Sequence, residues 1–87
     1  MEEMILIMRK KIQTVDLHNM EVWEAARYLT QVLNELPSDI SEVQVIHGYH
    51  RGTVLAVWLR KKFRHKKIAK KILTMNNGIT ILEVKNY

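Results

Sequence analysis

Between Lys11 and Gly48 the apolar period changes twice, and that change limits the possible folds more than any other feature of the chain. In "KIQTVDLH" the period is two: Gln13, Val15 and Leu17 point one way, and Thr14, Asp16 and His18 the other. From Glu21 to Leu36 the period is helical, with Val22, Ala25, Ala26, Leu29, Val32, Leu33 and Leu36 on one stripe, and Pro37 stops the run. "SEVQVIHG" then reads as a second strand, buried through Val43, Val45 and Ile46. A strand, a helix and a strand joined by a crossover of this length make a right-handed parallel unit. If the two strands are neighbours, Asp16 and His18 end beside His47 and His50. Trp23 and Tyr28 lie at the edge of the helical stripe, where packing is the expected role.

The rest of the chain continues the alternation. Thr53 to Phe63 reads as a second helix with Thr53 as N-cap and a stripe of Leu55, Trp58, Leu59 and Phe63. "KIAKKILTM" and "ITILEVK", separated by "NNG", read as a terminal hairpin. The expected order is β-α-β-α-β-β, an α+β fold of two layers with a mixed sheet. Residues 11–87 form one domain, since 87 residues leave no room for two cores. Residues 1–10 precede it as an N-terminal arm or an extra strand. Their apolar run, Met4 to Met8, follows acids rather than bases and is too short for a signal peptide or a membrane span.

The chain has no cysteine, which removes disulfides and thiolate zinc sites and suits a cytoplasmic location. Net charge is +5, and eight of the fourteen Lys and Arg residues fall between Arg60 and Lys71. Such concentration points to a polyanion, nucleic acid before membrane, with a solvated basic face as the plainer explanation. Lys61, Lys62 and Arg64 also sit where positive charge favours a helix C-terminus. As nucleic-acid contacts we single out Lys61, Lys62, Arg64, Lys66 and Lys67, with Tyr49 placed to stack on a base.

"IHGYHRGTVL" is the segment richest in chemistry. Gly48 and Gly52 free the backbone on both sides of His50 and Arg51, and the loop runs into a helix start. Gly48, His50, Arg51, Gly52 and Thr53 are therefore the expected phosphate-binding set, with Arg51 supplying a planar fork. His18 and His47 can act as base and acid on a phosphodiester near neutral pH, with Asp16 orienting one ring. Simpler roles compete: a strand-end histidine satisfied by backbone, and an aspartate bonding local amides. The one cofactor these residues admit is a divalent metal ion on Asp16, His18, His47 and His50, although no compact ligand motif such as HExxH is present. Walker, GxGxxG and GxSxG signatures are absent.

"VDLHNMEVWEAARYL", "VIHGYHRGTVL" and "NNGITILEV" together resemble the Smr (small MutS-related) domain family over about Lys11 to Lys85. Its LDxH-type strand end matches Val15-Asp16-Leu17-His18, and its HGxG or TGxG loop matches His47-Gly48-Tyr49-His50, as in short, stand-alone members. The resemblance implies a β-α-β-α-β-β domain like the C-terminal domain of translation initiation factor three. It also implies binding to structured DNA or RNA and, for several members, endonuclease activity. A non-catalytic RNA- or ribosome-binding module is the alternative. Two positions depart from the pattern: Asn19 stands where a glycine is usual, and His50 replaces the later glycine, with Gly52 displaced.

Overall fold

The computed structural model describes residues 11–48 and 53–85. The N-terminal arm and Tyr49, His50, Arg51 and Gly52 lie outside them. The elements are β1 (Ile12–Asp16), α1 (Val22–Asn34), β2 (Glu42–Ile46), α2 (Val54–Val57) continued by a π-helical turn (Trp58–Lys62), β3 (Ile68–Leu73) and β4 (Ile79–Val84). Sheet order is β1-β2-β4-β3. As expected, β1 and β2 pair in parallel, Ile12 opposite Glu42 and Asp16 opposite Ile46. β4 then inserts antiparallel between β2 and β3, so the sheet is mixed.

Both helices pack on one face of the sheet. That face carries Val15 and Leu17 from β1 and its extension, Val43 and Val45 from β2, and Thr80, Leu82 and Val84 from β4. Against them lie Ala25, Leu29 and Leu33 of α1 and Leu59 and Phe63 of the second helical segment. Their burial from water is the main drive holding the two layers together. Trp23 and Tyr28, expected to pack, are instead 62% and 44% exposed. They fall off the stripe, and no second layer covers that side of α1 among the described residues.

The second helix is not α-helical throughout. Phe63 N–H reaches back five residues to the Trp58 carbonyl at 2.9 Å, which widens the turn. In an α-helix residues five apart diverge by about 140°. The wider turn brings Trp58 and Phe63 onto one face, with ring centroids 5.1 Å apart. Thr53 holds the N-cap position, but its side chain makes no capping bond.

Two lysines of the basic run complete the helix ends. Lys67 Nζ donates to the Leu33 carbonyl at 2.7 Å in the last turn of α1. Lys71 Nζ donates to the carbonyls of Leu59 (2.8 Å) and Phe63 (2.5 Å). These carbonyls would otherwise lack intrahelical partners. Burial, and then the Arg64 charge, lower the Lys71 pKa. At the hairpin the connection spans Thr74 to Gly78, longer than a two-residue turn, with Asn76 Oδ1 accepting from the Gly78 N–H at 2.8 Å.

Candidate functional site

The C-terminal ends of β1 and β2 lie side by side, and the pleat decides what each presents. Leu17 N–H bonds the Ile46 carbonyl at 2.7 Å, so the parallel ladder runs on past both strands. Val15 and Leu17 face the helices; Asp16 and His18, one step out of phase, face solvent. Asp16 Oδ1 accepts two hydrogen bonds from the same residue: His18 Nδ1–H at 2.5 Å and His18 N–H at 3.1 Å. Those two bonds, side chain first and backbone second, lower the Asp16 pKa. An ionised carboxylate only accepts, so Nδ1 carries a proton, and in the neutral form of the ring the lone pair lies on Nε2. Among the described residues Nε2 has no partner.

Asn19 follows in the left-handed region, φ 70°. Asparagine adopts that conformation more readily than most residues, so the usual glycine is dispensable here. Gly48, at φ 72°, passes beneath His18; a Cβ on Gly48 would lie 3.4 Å from the His18 Cβ.

His47 behaves oppositely. It falls in phase with Val43 and Val45 and is 4% exposed. Its Nδ1 donates to the Gly48 carbonyl at 3.0 Å, and its Nε2 accepts from the Thr80 hydroxyl at 2.9 Å. Thr80 in turn accepts from Arg60 Nε–H at 3.1 Å. Burial lowers the His47 pKa; the Gly48 carbonyl opposes that shift and the Arg60 charge adds to it. The ring is thus neutral, inward and engaged at both nitrogens, whereas the sequence suggested a ring facing a phosphodiester. The backbone is fixed as well: the N–H groups of His47 and Gly48 both donate to the Gly78 carbonyl, at 2.9 and 3.0 Å.

Thr80 and Arg60 were not among the residues the sequence singled out. A signal existed for Thr80, which shares the phase of Leu82 and Val84 and is a polar group at a core position. For Arg60 only its place inside the basic run was visible. Lys61, Lys62, Arg64 and Lys66 are exposed, and none has a hydrogen-bond or ion-pair partner among the described residues. Lys67 is occupied by α1. Thr53 is exposed at the start of α2; His50, Arg51, Gly52 and Tyr49 lie outside the described residues. The metal alternative loses His47 to the interior, and the described residues contain no group of three or more ligands that could hold a metal ion. No helix among them is long and apolar enough to cross a membrane.

A parallel β-α-β unit, a second crossover helix and a terminal hairpin inserted beside β2 define a two-layer α+β domain. No family model matches the sequence, and no curated protein does. Among solved structures, the crystal structure of the Smr domain of Thermus thermophilus MutS2 matches with a TM-score of 0.73 at 23% identity, over 84% of this chain and 98% of that one. The described residues therefore have the fold of an Smr domain.

Proposed function

We propose that this protein binds structured nucleic acid and hydrolyses phosphodiester bonds at the Asp16–His18 pair. The observation that carries the proposal is the double acceptance of His18 by Asp16 Oδ1, at 2.5 and 3.1 Å, on a solvent-facing strand end. Asp16 holds the imidazole in one tautomer and orientation. Nε2 takes a proton from the attacking water as its oxygen bonds to phosphorus, the P–O bond to the leaving oxygen breaks, and that oxygen takes its proton from the protonated ring or from solvent. The carboxylate then stabilises the charge that appears on the ring. His47 is a positioning residue: through Gly48 on one side and Thr80 on the other it sets the backbone beneath His18. His50, Arg51, Gly52 and Thr53 hold the phosphate, Lys61, Lys62, Arg64 and Lys66 contact the nucleic-acid backbone, and Tyr49 stacks on a base. The match of "VDLH" and "HGYH" to the Smr motifs and the shared fold support this assignment.

A non-catalytic RNA- or ribosome-binding module is favoured by one fact, that the exposed basic turn is remote from the Asp16–His18 pair. The test is cleavage of end-labelled branched DNA and structured RNA, with and without divalent metal, with binding recorded in the same samples. Wild type should cut, while His18→Ala should bind and not cut. Wild type that binds tightly and never cuts would leave the binding module as the function.

A further inference from the structure

Charge is divided across the sheet. Residues 11–42, which build β1, α1 and β2, hold two cations against six carboxylates, net −4. Residues 43–85 hold ten cations and one carboxylate, Glu83, net +9, with no acid between Val43 and Leu82. In space the α1–β1 side is acidic and the α2–β3 side basic. Charge is also divided along the strands. The Asp16–His18 pair and Gly48 sit at one end. Arg64, His65, Lys66 and Lys67 sit at the other, where His65 Nε2 and Asn34 Oδ1 of α1 are 2.8 Å apart and Lys85 N–H reaches the Lys67 carbonyl at 2.8 Å. The strand between, Ile79 to Val84, spans about 17 Å at ~3.3 Å per residue.

Among the described residues, the α2–β3 side offers charge without exposed aromatic stacking surfaces. Its described aromatics, Trp58 and Phe63, pack on each other and into the core. The exposed aromatics Trp23 and Tyr28 are on α1, on the acidic side. Sequence-tolerant binding of single strands relies on stacked bases, whereas a duplex presents regularly spaced phosphates and shields its bases. We propose that the α2–β3 side is a docking surface for the backbone of a helical stem, which runs from the Asp16–His18 end to Lys61, Lys62, Arg64 and Lys66. Only a stem of at least about five base pairs reaches both ends, at ~3.4 Å per pair. Lys67 and Lys71 contribute little to docking, because they cap helices. The proposal rests on the nucleic-acid reading above and specifies its ligand and the path that ligand takes.

Hairpins with stems of about 4 and about 12 base pairs and the same loop test this by fluorescence anisotropy, beside a single strand of the longer hairpin's length. Wild type should bind the long stem at least about 10-fold tighter than the short one. Its log-affinity against log-salt slope should be steeper for the long stem by about 3 to 4, from ~0.9 per phosphate contact. The K61Q/K62Q/R64Q/K66Q variant should lose both differences, because it weakens binding of the long stem far more than binding of the short one. The wild-type salt comparison stands alone should that variant fold poorly. Equal slopes for the two stems, equal weakening of both by the variant, or a single strand binding as tightly as the long stem would overturn the proposal. If hairpins bind with no length dependence, the docking path alone fails. If no nucleic acid binds at all, the functional reading fails with it.

Discussion

His18 and His47 close neighbouring parallel strands, yet one faces water and the other is enclosed. The Asp16–His18 end carries a carboxylate, an imidazole whose Nε2 is unengaged among the described residues and a left-handed Asn19. The His47 end carries a neutral ring held between Gly48 and Thr80, with Arg60 behind it. The cause is one step of pleat: His47 shares the phase of Val45, and His18 is out of phase with Leu17. Of two histidines at adjacent strand ends, one can therefore be left to solvent and the other spent in the scaffold, and phase decides which.

The comparison breaks most directly on activity. His18→Ala should lower cleavage by about 10²- to 10⁴-fold, the usual range for a lost general base, with thermal stability nearly unchanged. If a single-turnover assay shows full activity, His18 is not the base. Thr80→Val should do the reverse. It leaves His47 Nε2 and Arg60 Nε without a partner in a buried setting and should cost about 1–3 kcal/mol in urea unfolding. A neutral result would mean that the Arg60–Thr80–His47 chain has no structural role.

The same division exists among the lysines. Lys71→Met removes a cap on the carbonyls of Leu59 and Phe63 and should cost about 1–2 kcal/mol. Lys62→Met, exposed and unpaired among the described residues, should stay within about 0.5 kcal/mol. Equal effects in parallel melts would erase the distinction between structural and free cations. Gly48→Ala should cost about 1 kcal/mol through its φ of 72°, since the added Cβ meets His18 at ordinary contact distance. A small fall in cleavage rate is expected with it.

pH sharpens the contrast at the smallest scale. Burial holds the folded-state pKa of His47 below its ordinary 6.5, so as pH falls the unfolded chain takes up the proton first. This contribution to stability is fully present above about pH 6.5 and declines as pH drops through 6.5 toward the folded value. Burial lowers His65 as well, with the same sign. Urea midpoints between about pH 7.5 and about pH 5 should fall for wild type and fall less steeply for His47→Gln. An unchanged slope in that variant would mean that His47 titrates alike folded and unfolded.

Local pattern made most of the fold legible. The period change from two to 3.6 and back named β1, α1 and β2, and the crossover length made them parallel. Asp16 and His18 were readable as partners because residues two apart on a strand share a face. The match of the chain's motifs to Smr domains and the shared fold agree, although identity to the solved domain is only 23%.

Other features needed distant parts of the chain to meet. The inward turn of His47 was implicit in its phase, but its partners come from Thr80 and Arg60, far along the sequence. The π-turn follows from Trp58 and Phe63 competing for one core face. Lys67 and Lys71 looked like their neighbours in the basic run until the ends of α1 and of the π-helical turn placed bare carbonyls within their reach. Composition and period, set by neighbours in the chain, determined the elements and their order. Which polar groups are spent inside the fold and which remain for a ligand was decided only by tertiary packing, because a hydrogen bond or a buried surface needs both partners in place.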